Sequence, residues 1–169
     1  MKKNGVMGAT LAVIAVAALA GAVRAQEKKD MHDAHKIVHF GDLKWIPIIK
    51  GCELAQVSGD FNLEGEPFVL RIHCADGTKV PPHWHPTDEN ITVLKGTFFV
   101  GMGEKYEDTK LQQMNAGNFM IMPKEMRHFA TCKGDVVVQV HGIGPFKNIW
   151  VNPSEVEPPE AAPAGKSNS

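Results

Sequence analysis

Between Trp45 and Trp150 the chain runs as short apolar stretches cut by Gly, Pro, Asp and Asn. Phe68 to Cys74 (FVLRIHC) reads as a strand, stopped by Ala75-Asp76-Gly77. Asn90 to Lys95 reads as a second strand closed by Gly96, and Thr97 to Met102 as a third. Asn118 to Met122 is a fourth, ended by Pro123. Phe129 to Thr131 and Asp135 to His141 continue the series. No stretch here sustains the 3.6-residue apolar period of a long helix. Many short strands with turn residues between them predict an all-β domain, a sandwich or a barrel.

The flanks have a different texture. Lys2 and Lys3 precede an uncharged apolar run, Val6 to Val23, and Val23-Arg24-Ala25 places small residues where a signal peptidase reads them. Residues 1–25 are therefore expected to be a secretory signal peptide, with the periplasm or the exterior as destination and no stable membrane span after cleavage. Gln26 to Lys36 (QEKKDMHDAHK) is polar, and residues 26–44 read as a linker or N-terminal arm. His32, His35 and His39 would share a face only if that arm were helical. The barrel is expected over residues 45–152. Residues 153–169, built largely from Pro, Ala, Glu, Gly, Ser and Asn, are expected to form a disordered tail.

Composition narrows the partners. The formal net charge is -1, which argues against a nucleic-acid partner and against a polybasic membrane tether. Aromatic residues make up 7% of the chain, so aliphatic side chains and Met must fill the core. Three cysteines, Cys52, Cys74 and Cys132, leave at least one thiol unpaired within a monomer. Their spacing matches no zinc knuckle, and they read as small buried hydrophobes.

The informative segment runs from Gly77 through Pro81-Pro82-His83-Trp84-His85-Pro86 to Glu89 and Gly96. Residues i and i+2 of a strand share a face, so His83 and His85 project together while Trp84 points away. Glu89 adds a carboxylate four residues on. The flanking prolines stiffen the segment, which lowers the entropy cost of holding ligands ready. A further ligand is expected from His128, in the segment Gly117 to His128 that turns at Pro123.

These residues resemble the two cupin motifs. The first is Gly, five residues, His-x-His, three or four residues, Glu, six residues, Gly, and every position is met. In the second, Gly117, Pro123 and His128 match, while Glu125 stands where Gly is usual and Cys132 where Asn is usual. The chain resembles a small single-domain cupin, type-2-like, which implies a double-stranded β-helix, or jelly-roll barrel. It also implies one divalent transition metal (Fe, Mn, Ni, Cu, Co or Zn) held by His83, His85, Glu89 and His128, since three imidazoles and a carboxylate suit any of these ions.

Cupins with this ligand set are often dioxygenases, decarboxylases or isomerases, and others bind ligands without turnover. The implied function is a metal-dependent oxidoreductase, dioxygenase-like, acting on a small oxygenated or aromatic compound. The alternative is a non-catalytic exported binding protein for a metal or small ligand. His141, Arg71 and Glu125 are the candidate catalytic groups, with His73 and Tyr106 behind them. If their strand faces point inward, Arg71 would bind an anion and His141 would move a proton. Many cupins are homodimers, and Trp45 to Ile49 is a candidate edge strand for such a contact.

Overall fold

The computed structural model describes residues 35–160, so the apolar run, the cleavage site and His32 lie outside the described residues. The described residues from Val38 onward belong to one unit of nine strands and three short 3-10 turns, without an α-helix. The strands are β1 (Ile46–Ile49), β2 (Cys52–Ser58), β3 (Pro67–Cys74), β4 (Lys79–Trp84) and β5 (Glu89–Met102). They continue as β6 (Gln112–Asn115), β7 (Phe119–Met122), β8 (His128–Ile143) and β9 (Ile149–Trp150). All are paired antiparallel, in the order β1-β2-β3-β8-β4-β9, while β5 pairs with β6, β7 and β8. The sheet curls into the expected all-β cupin barrel around an aliphatic core that includes Leu70, Ile91, Val93, Val138 and Val140. Among the described residues no helix is long and apolar enough to cross a membrane.

Two strands are longer than the sequence pattern suggests. Gly96 reads as a stop, yet β5 passes through it, with register shifts against β8 on either side of Lys95. Up to that point the inward positions are Glu89, Ile91 and Val93; beyond it they are Phe98 and Val100. A bulge inserts a residue and flips the two-residue parity, so both halves of one strand keep an apolar face inward. Gly96 has φ 76, and a Cβ there would lie 2.6 Å from the Asp135 carbonyl oxygen. β8 likewise joins two runs read separately, bending at exposed Lys133, Gly134 and Asp135. Sequence patterning cannot tell a glycine that ends a strand from one that bends it.

The cysteines depart from expectation. Cys52 and Cys74 sit directly opposite each other on β2 and β3 and form a disulfide. A closure of 22 residues is worth about 3 kcal/mol in the chain-entropy account. Only Cys132 remains the small buried thiol expected, and burial, with the Asp76 charge adding to it, pushes its pKa up to about 12. In the metal-free protein it is therefore a protonated thiol at neutral pH.

The described parts of both flanks make defined contacts with the barrel. Trp45 meets the His73 ring edge-on, and the Arg71 guanidinium lies over Phe40. His35 to His39 carry no regular secondary structure, so these two histidines are not on a helix. At the other end Asn152 caps a 3-10 turn at Pro153–Glu155. Val156 packs on the core, and Lys50 both donates its N–H to the Glu157 carbonyl (3.0 Å) and pairs with the Glu157 carboxylate (2.8 Å). The stretch from Pro153 to Glu157, expected to be tail, is thus pinned to the barrel.

Gly96→Ala is expected to lower stability by about 2 kcal/mol, from left-handed strain plus the carbonyl clash. Urea denaturation of the purified variant beside wild type measures it.

Candidate metal centre

β4 delivers His83, and the turn that follows delivers His85; β5 opens with Glu89 and β8 with His128. These four are the buried polar or charged side chains among the described residues. One imidazole nitrogen from each of His83, His85 and His128 lies within 4.8 Å of the other two. Glu89 Oε2 flanks this group on the side of two of its members, 3.3 Å from His85 Nε2 and 3.6 Å from His128 Nε2.

The orientation of the rings follows from their outer hydrogen bonds. Each Nδ1 lies at hydrogen-bond distance from a main-chain carbonyl: His83 at 2.8 Å from Pro81, His85 at 3.0 Å from Lys147, and His128 at 2.9 Å from Met126. A carbonyl only accepts, so Nδ1 must carry the proton and donate. In the neutral ring Nε2 is then left with a lone pair turned toward the cluster. His85 Nε2 and Glu89 Oε2 are buried without a hydrogen-bond partner. Leaving such atoms unpaired costs about 1–3 kcal/mol each. A cation between three lone pairs and a carboxylate would satisfy them, so the residues fit a divalent transition metal.

The two sequence motifs are tied together locally. The Glu125 N–H donates to the His85 carbonyl (2.8 Å), and the Lys124 N–H donates to Asp88 Oδ1 (2.8 Å). Glu125, at the position where cupins usually have glycine, takes a left-handed backbone with φ 62. The departure in sequence leaves the turn shape intact and stores the strain of an L-residue there, about 1–2 kcal/mol.

The candidate catalytic groups do not reach the cluster. Arg71 alternates with the core residues Leu70 and Ile72 and lines an outer groove with Phe40, Trp45 and Leu94. His73 shares that outer face, held between Glu53 and Asp135. His141 follows the fully buried Val140, points outward, and stacks on exposed Phe119. Glu125 is exposed in its turn, and Tyr106 packs on Phe129 under Lys79. The strand parity assumed for an inward Arg71 and His141 is the opposite of the one observed. Trp84 faces away from the cluster as expected, beneath the Arg127 guanidinium.

Sequence reasoning missed the segment from Gly144 to Trp150. Phe146 stacks on the His85 ring (centroids 4.3 Å apart), and Trp150 packs on His83 (5.1 Å). Lys147 contributes only its carbonyl, which no side-chain pattern could reveal.

Electrostatically the site favours neutral imidazoles. Burial, then repulsion from His128 and His85, holds the His83 pKa well below 6.5. Burial also lowers that of His128, outweighing the attraction of Glu89. His73 behaves oppositely. Its partial burial works against protonation, but the hydrogen bonds to Asp135 and Glu53 outweigh it and raise the pKa.

A family model described as the ChrR cupin-like domain matches residues 33–147. A germin-like protein of Oryza sativa subsp. japonica is 38% identical over 64 residues, which span 36% of this chain and 29% of that protein. Under a third of that relative's length is therefore shared. The polyketide cyclase RemF from Streptomyces resistomycificus superposes with a TM-score of 0.54 at 19% identity, over 70% of this chain and 88% of that one. An RmlC-like cupin from Shewanella frigidimarina NCIMB 400 does so with 0.52 at 16% identity, over 64% and 90%. At these identities the structural likeness speaks for the fold.

Two outcomes follow. Unfolded histidines accept protons near pH 6.5, whereas folded His83 and His128 resist them. The unfolded chain then binds more protons below 6.5, so the stability these groups contribute is complete above that pH and is lost as pH falls from it. Thermal melts of the metal-free protein should drop steadily below pH 6.5. His73 opposes this trend weakly, because its side chain is 30% exposed and solvent screens its pairs. Separately, Glu125→Gly should stabilise the protein by about 1 kcal/mol without changing metal affinity, as read by urea melts and calorimetric titration.

Proposed function

Since the chain belongs to the ChrR cupin-like domain family, we propose that it is an exported metalloprotein whose His83, His85, His128 and Glu89 hold one divalent transition metal. We assign it the role of a metal-dependent oxidoreductase, dioxygenase-like, acting on a small oxygenated or aromatic compound. The observation that carries this reading is the inward turn of three buried imidazoles, two of them beside the buried Glu89 carboxylate.

A metal bound there supplies Lewis acidity and, if redox-active, electron transfer. The chain's own residues do the rest. The Pro81, Lys147 and Met126 carbonyls fix which nitrogen of each ring faces inward. Glu89 offsets half of a divalent charge and is the one carboxylate lining the cavity. Ile91, Val138 and Trp150 line it with apolar surface. Export is supported by the Cys52–Cys74 disulfide, which belongs to an oxidising compartment, and by the charged-then-apolar N-terminus.

A non-catalytic binding role is favoured by a different observation. Apart from the four proposed ligands and the Cys132 thiol, no titratable side chain lines the cavity. A proton-handling partner for catalysis would have to be Glu89 itself.

Elemental and mass analysis of protein purified from its native compartment is expected to give one transition metal per chain and a mature N-terminus at Gln26. His85→Ala, still folded by circular dichroism, should weaken metal binding more than about tenfold. Oxygen uptake by the wild-type metal form, absent in His85→Ala, would separate the enzyme from the binding protein. Stoichiometric metal with no turnover across a substrate panel would select the second reading.

A further inference from the structure

The outer wall of the barrel carries a second recess. Successive residues of β3 and β8 serve two different spaces. Ile72 and Val138 line the metal cavity, while Arg71, His73 and Val137 line a groove of about 510 Å³ on the opposite face of the sheet. No residue lines both. Small-ligand sites measure roughly 300–1,000 Å³, so the groove has room for a ring and a short chain. Phe40 and Trp45, from the segment before β1, supply two aromatic walls with ring centroids 5.6 Å apart, and Leu94 of β5 adds an aliphatic one. Phe40 is 51% exposed and Leu94 42%, so apolar surface stands open to water here.

The charges of the groove are unevenly paired. Glu53 meets His73 Nδ1 at 2.9 Å, and Asp135 holds both His73 and Lys95. Arg71 is left over. Among the described residues it forms no ion pair, and its Nε is buried without a hydrogen-bond partner. Its cross-strand neighbours, Ala55 on β2 and Gln139 on β8, are uncharged. The His73 cluster begins one outward position farther along β3, about 7 Å along the strand. The guanidinium carbon lies 5.8 Å from the centroid of the Phe40 ring. With Nε covered, the terminal nitrogens are the end that can meet a ligand. A planar guanidinium recognises a carboxylate through charge-assisted hydrogen bonds. One unpaired guanidinium beside open aromatic surface therefore suits one negative charge joined to a flat apolar body. A second negative charge gains little, because Lys95 and His73 already have carboxylates.

We propose that this groove is a second ligand site, separate from the metal cavity, and that it binds a small aromatic monocarboxylate with its carboxylate on Arg71 and its ring against Phe40, Trp45 and Leu94. The site stands whether or not the metal reading does.

The test uses the full protein, freed of metal so that no carboxylate can coordinate an ion, with 3-phenylpropanoate as the probe. Calorimetric titration is expected to give one site per chain with a Kd on the order of 1 mM or tighter. The uncharged 3-phenylpropanamide should bind roughly tenfold more weakly, the loss of one charge-assisted contact. Arg71→Met keeps an apolar stem and should weaken the acid roughly tenfold while leaving the amide within about twofold. In methyl NMR spectra the acid should shift Leu94 and Val137 and leave Ile72 and Val138 in place. Binding absent at about 10 mM, equal affinity for acid and amide, or shifts confined to Ile72 and Val138 would each overturn the proposal. Absence of binding is also the result expected if a second copy of the chain fills the groove. The acid–amide comparison needs only the wild-type protein, so it decides even if the variant fails to fold.

Discussion

The arrangement turns on three main-chain carbonyls that accept hydrogen bonds from three buried imidazoles. Without them each ring could present either nitrogen, and the burial of three histidines beside a glutamate would be an uncompensated cost. With them the lone pairs converge. Two of the bonds are local, from His83 to Pro81 and from His128 to Met126, each spanning two residues. The third reaches across 62 residues to Lys147. The strand entries and the Gly144–Trp150 segment must therefore be in place together before the cluster exists as a site.

Legibility from sequence followed the distance over which each feature is encoded. His83, His85 and Glu89 lie within seven consecutive residues, and strand parity alone places the two histidines on one face. The all-β class was legible for the same reason: apolar runs and turn residues are local signals. The outward facing of Arg71 and His141 was not, because a strand's period states which residues share a face but not which face is the core. The Cys52–Cys74 pair depends on the register between β2 and β3, which no spacing in the chain specifies.

The departures from the second cupin motif illustrate a related point. Glu125 occupies a glycine's conformation, since the hydrogen bond from its N–H to His85 and the adjoining bond to Asp88 hold the turn regardless of the side chain. A residue type is a preference, and tertiary contacts overrule it at the cost of local strain. The same reasoning explains Gly96, where the strand continues through a residue that elsewhere ends one.

β8 is the strand that both halves of the barrel share. Its later residues pair with β3, its earlier ones with β4, and nearly its whole length with β5. Stripping it from one neighbour exposes the ladder of the others, so neither half has an independent folding equilibrium. The barrel is built to melt as one cooperative unit, and a nascent chain released before His128 emerges would have His83, His85 and Glu89 but no barrel to hold them.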